Sequence, residues 1–166
     1  AALAPELERA AKAMVECYRA GGKAIFCGNG GSAADAQHLA AEFVGRYLAE
    51  RRPLAALALN ANSSALTAIG NDTDFSHVFV QQLELHARST DAALGISTSG
   101  SSSNVNRAMR RAREMGLLTI GFAGRDGGAL VDHCEFCFVV PTWSIHRIQE
   151  THTVLLHLLW DQVQVA

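Results

Sequence analysis

Lys23-Ala24-Ile25-Phe26-Cys27 runs without a break into Gly28-Asn29-Gly30-Gly31-Ser32, and then into a helical pattern over residues 32–48. A short apolar run bounded by glycine reads as a buried strand, since a strand covered on both faces needs no polar alternation. Similar runs follow at 92–97, 117–122 and 135–140, with a weaker, alanine-rich one at 55–59. Helical patterns lie between them at 63–70, 74–87 and 102–115, with a short turn near 128–132 and a long helix over 144–165. Residues 1–18 read as an amphipathic helix ahead of the first strand. Strands that alternate with helices build a parallel sheet, and right-handed crossovers place helices on both faces. The expected fold is α/β, a three-layer sandwich around a five-stranded parallel sheet.

The 166 residues fit one domain with a sizeable core, and 49% hydrophobic against 18% charged residues is a globular composition. A formal charge of -2 with no basic run argues against a nucleic-acid surface. No apolar stretch approaches the roughly 20 residues of a membrane span. Glu6, Glu8, Arg9 and Lys12 interrupt any signal-like region, and the chain, lacking an initiator Met, reads as trimmed. Cys17, Cys27, Cys134 and Cys137 suggest no disulfide framework, so a reducing cytoplasm is expected. Cys134 and Cys137 have CxxC spacing but neither a helix start nor a second pair, and both read as buried strand residues. In the last helix, Val154, Leu155, Leu156, Leu158, Leu159 and Trp160 are apolar over most of the circumference. Such a helix is covered on several sides, which predicts a homo-oligomer.

Ligands of open parallel sheets gather at the carboxyl ends of the strands. Two loops there are rich in hydrogen-bonding groups. The turn at 28–32 offers close backbone approach, with Ser32 placed to cap the next helix. It is neither a dinucleotide GxGxxG nor a Walker loop. The second, Ser97-Thr98-Ser99-Gly100-Ser101-Ser102-Ser103-Asn104, opens onto a helix, and hydroxyls at a helix N-terminus make an anion site. Holding no Lys or Arg, it suits a lone phosphate monoester better than a polyphosphate. Asn71-Asp72 stands in a loop between helices, where turn chemistry competes with a role towards sugar hydroxyls.

His38 and Glu42 lie i, i+4 on the helix behind the glycine turn, and so share a face. On the last helix Gln149, Thr153 and His157 form an i, i+4, i+8 row, from which Glu150 and His152 point away. His77, His86, His133 and His146 read as structural or solvent-facing. Two His, one Glu and one Gln suffice for a four-ligand Zn²⁺ site, and one Glu with one His suffices for metal-free acid–base catalysis. Both alternatives stand.

The run 28–38, Glu42, Ala68-Ile69-Gly70-Asn71-Asp72, Ile96-Ser97-Thr98-Ser99-Gly100, residues 119–128 and Arg147-Ile148-Gln149-Glu150 together resemble the phosphoheptose isomerases, a sugar-isomerase (SIS) domain family. The resemblance covers nearly the whole chain in order, with a shortened N-terminal helical region. It implies one flavodoxin-like SIS domain over 1–166, with helices 2–20 and 144–165 used in oligomerisation. It also implies a homotetramer with active sites at subunit interfaces. The implied reaction converts sedoheptulose 7-phosphate to D-glycero-D-manno-heptose 7-phosphate, the first step of nucleotide-activated heptose biosynthesis. Asn29, Gly30, Gly31, Ser32, Asn71, Asp72 and Gln149 would contact the sugar phosphate, and Ser97, Thr98, Ser99 and Ser102 would hold its phosphate. His38, Glu42, Gln149 and His157 match a zinc site, with Glu42 also touching substrate and Glu42 and His157 as the acid–base pair. Ser101, where Asn is common, and the stretch Trp143-Ser144-Ile145-His146 depart from the pattern. A non-catalytic replication-initiator-binding protein of the same fold, or an isomerase of another sugar phosphate, is the alternative. Retention of Glu42 and His157 favours the enzyme.

Overall fold

The computed structural model describes residues 3–45 and 52–165. Five strands, β1 (Ala24–Gly28), β2 (Ala56–Ala58), β3 (Ala92–Ser97), β4 (Leu118–Gly124) and β5 (Phe136–Val140), form one sheet in the order β2-β1-β3-β4-β5. All neighbours run parallel. This is the flavodoxin-like order, whose reversal point beside β1 and β3 opens a crevice at the carboxyl ends. The strands fall where the apolar runs predict them, within two residues at each end.

Side chains alternate across a strand, and the register keeps even-numbered residues on one face of the sheet. That face carries Phe26, Leu94, Ile96, Ile120, Phe122 and Phe138 beneath α1 (Ala4–Arg19), α2 (Gly31–Val44) and α6 (Ile145–Val165). The odd face is lined with smaller groups, among them Ala93, Gly95, Gly121 and Ala123. It packs against α3 (Ser63–Asp72), α4 (Val80–His86) and α5 (Ser103–Glu114). Helix α5 therefore lies very close. A Cβ built on Gly95 would come within 2.7 Å of Met109 Cγ.

Several expectations need correcting. The helix expected over 74–87 is broken into a 3₁₀ turn, Phe75–His77, and α4. Asp74 Oδ1 accepts from Ser76 N at 2.7 Å, and this local bond competes with helix continuation. Asn71 and Asp72 stand at the end of α3 instead of in a loop. Thr73 N and Oγ1 both donate to Ile69 O and close that helix just after them. Ser32 does not cap α2: Gly30 holds the N-cap position and Ser32 is buried in the first turn. Cys134 precedes β5, while Cys137 lies within it and is half-buried. The hydrogen bond between these two thiols raises Cys134 and lowers Cys137, and burial pushes Cys27 up to about 12. The expected end of the second helix at 48 and the expected start of the first at 2 lie outside the described residues.

On α6 the apolar girdle splits in two. Ile148, Leu155, Leu156, Leu159, Trp160 and Val163 are buried, whereas Val154 is 57% and Leu158 44% exposed. No helix among the described residues is long and apolar enough to cross a membrane.

Candidate active site

The glycine turn is held from several sides. Gly30 adopts φ 58, a left-handed conformation that side chains disfavour. Gly31 lies directly under the Gln149 amide, where any Cβ would collide. Asn60 Nδ2 donates to Gly28 O at 2.6 Å, and Ser32 N donates to Asn29 O at 3.0 Å. The Asn29 side chain is turned to Asn104. Each amide donates to the other at 2.9 Å, in both directions.

The serine loop is equally fixed. Ser97 Oγ and Ser102 Oγ are 3.0 Å apart, and Ser101 N donates to Ser99 Oγ at 3.2 Å. Gly100 O accepts from Asn106 Nδ2 and from Leu130 N, both at 3.0 Å. Ser102 is the N-cap of α5 but makes no side-chain cap bond. The opening N–H groups of a helix have no intrahelical acceptor; here Asn104 Oδ1 accepts from Val105 N, and the groups ahead of it, beside hydroxyls, suit an anion.

His38 Nε2 and His157 Nε2 face each other at 3.0 Å, and Glu42 Oε1 lies 3.7 Å from His38 Nε2. His157 Nδ1 donates to Thr153 O at 2.8 Å, which turns Nε2 towards His38. Thr153 Oγ1 donates to Asp35 Oδ1 at 3.0 Å, tying α6 to α2. Gln149 shares a cavity of about 330 Å³ with Gly31, Asp35, His146, Glu150 and Thr153. Two imidazoles and a carboxylate thus converge. A tetrahedral zinc centre sets its nitrogen ligands roughly 3.3 Å apart, which this pair approaches. Imidazole and carboxylate are donor types that such an ion takes. Even so, no group of three His, Cys, Asp or Glu side chains among the described residues is gathered tightly enough to hold a metal.

Asn71 and Asp72 do not join this cluster. They are exposed, bonded to each other at 2.9 Å, and belong to α3 in the opposite helical layer. His152 turns inward, away from the row of Gln149 and His157. Its Nε2 bonds Ala123 O at 2.9 Å, while Nδ1 is buried with no partner among the described residues. Burial pushes this imidazole below its ordinary range.

Sequence reasoning missed Asp35, Asn104, His146 and Arg125. Asp35 precedes His38 by one helical turn, a spacing that would have flagged it. Arg125 is the non-glycine residue at φ 59, with its guanidinium 5.2 Å over the Trp143 ring. Nothing local in the sequence signals that conformation.

Comparison with known proteins agrees with this layout. Residues 1–124 match the family described as SIS domain. The chain is 49% identical to the phosphoheptose isomerase of Rhodospirillum rubrum, covering 98% of this chain and 87% of that protein. Two solved structures superpose closely. The phosphoheptose isomerase from Neisseria gonorrhoeae has a TM-score of 0.92 at 43% identity, covering 99% of this chain and 88% of that one. That from Francisella tularensis has a TM-score of 0.93 at 36% identity, covering 98% and 86%. The chain belongs to the phosphoheptose isomerase family of SIS-domain proteins.

Proposed function

We infer that the chain isomerises sedoheptulose 7-phosphate to D-glycero-D-manno-heptose 7-phosphate through an enediol. The observation that carries this is the convergence of His38, His157 and Glu42 between α2 and α6, in a chain whose β3–α5 loop is rich in serine. Glu42 takes a proton from C1 of the ketose and returns it to C2. His157, oriented by the bond from Nδ1 to Thr153 O, moves protons between O1 and O2 through Nε2. Ser97, Thr98, Ser99 and Ser102 hold the phosphate. Gly30, Gly31, Ser32 and Gln149, with the main chain of Asn29, line the sugar.

His38, Glu42, Gln149 and His157 would hold Zn²⁺. When bound, the ion would polarise the carbonyl and stabilise negative charge developing on the substrate oxygens. The working form is a homotetramer whose sites lie between subunits. Support comes from the bare Val154 and Leu158 on the helix that carries His157, and from Asn71 and Asp72 lying in the opposite layer, from which a second copy would supply them. Four free cysteines support a reducing cytoplasm as its compartment.

Sedoheptulose 7-phosphate and fructose 6-phosphate should be assayed side by side, before and after chelation, together with metal analysis. Turnover of the heptose alone, lost on chelation and restored by Zn²⁺, is expected. Turnover of neither sugar by metal-loaded protein would overturn the enzymatic reading.

A further inference from the structure

We propose that Asn104 is a positioning residue: its paired amide bonds to Asn29 couple phosphate binding in the serine loop to the geometry of the glycine turn and the start of α2. This rests on the isomerase reading of the site. Three observations lead to it. First, the two side chains bridge 75 positions of sequence with two mutual bonds of 2.9 Å, which fixes both amide orientations at once. Second, Asn104 is buried, and its Oδ1 also accepts from Val105 N at 2.9 Å, an N–H of the first turn of α5. The amide thus senses the helix end that would face the phosphate. Third, Asn29 O receives Ser32 N, so a shift of Asn29 is passed to the first turn of α2, the helix that carries His38 and Glu42.

An amide pair of this kind is all-or-none. Removing Asn104 leaves both polar groups of the Asn29 amide unmatched, and removing Asn29 leaves the Asn104 donor unmatched, whereas removing both adds little further cost. Phosphate held at the start of α5 would pin Asn104, and through it the turn, so that binding energy from a non-reacting group is realised at the reacting carbon. The pair joins loops on either side of the sheet's reversal point, where motion of one against the other would open the site.

The test uses the full chain and inorganic phosphate. In the parent protein, phosphate should slow amide hydrogen exchange in both 97–104 and 29–34. In Asn104→Ala the serine loop should still respond and the turn should not. This readout does not need turnover, so it stands apart from failure of the isomerase reading. With heptose phosphate, Asn104→Ala should lower kcat about tenfold to a hundredfold, with the phosphate inhibition constant within about threefold. Asn29→Ala should match it, and the double variant should be no worse than either single one. Should Asn104→Ala fold poorly, Asn29→Ala reads the same link from its half-buried end. An undiminished response of the turn in either variant, or kcat losses that multiply in the double variant, would overturn the proposal.

Discussion

The serine loop, at the carboxyl end of β3, and the histidine pair, between α2 and α6, are built in opposite ways. The loop is finished within the chain: hydroxyl meets hydroxyl, Gly100 O is doubly satisfied, and Asn104 locks it to the neighbouring turn. The pair stands on outward helix faces, with the His38 side chain 48% exposed and apolar Leu158 and Val154 uncovered on the same helix as His157. On the proposed reading, recognition of phosphate would be a property of one folded chain, and chemistry at carbon would be left to a place that is dry only when something covers it.

The sharpest way to break that contrast is Glu42→Gln. It should lower kcat by about 10²–10⁴ while melting temperature and phosphate binding stay as in the parent, measured by turnover and calorimetry. Retained turnover would mean that the exposed helices are not the chemical half. Leu158→Glu comes next. A charge on the bare face should shift the protein to a smaller species in sedimentation and cut activity at least tenfold, with phosphate affinity nearly unchanged. Ser97→Ala should act the other way round, raising KM several-fold and leaving kcat within about threefold. The smallest effect concerns α6 itself. Burial holds the folded-state pKa of His152 below its unfolded value of about 6.5. Its contribution to stability is therefore complete above pH 6.5 and is lost as pH falls below it, because the unfolded chain binds the proton more readily. His152→Gln should flatten the fall in melting temperature between about pH 6.5 and pH 5 while keeping a donor for Ala123 O.

The same division governs what could be read from the residues alone. The strands were legible because a doubly covered strand is a continuous apolar run, and 92–97 is found as written. His38 with Glu42, and Gln149 with His157, were legible as rows on single helices from their spacing, and the meeting of the two rows only from the family likeness. The break at Asp74 was not, because a side-chain bond two residues long outweighs a helical period. Nor was the Asn29–Asn104 pair, or the bond from Thr153 to Asp35 across 118 positions, since contacts of that separation leave no local pattern. The resemblance grouped Asn71 and Asp72 with the other substrate contacts, but α3 places them in the far layer. Sequence order alone carries no information about which layer, or which copy, completes a site.

Gly95 has a consequence for phosphate recognition, although it lies within the sheet and not in the serine loop. With no side chain there, Met109 and Val105 of α5 come up against the strand itself. The loop that would grip the phosphate is the upper end of that same helix. Its altitude above the sheet is therefore set from the basement of the fold, and a family member could alter which sugar phosphate it accommodates by thickening one strand, with every residue of the loop unchanged.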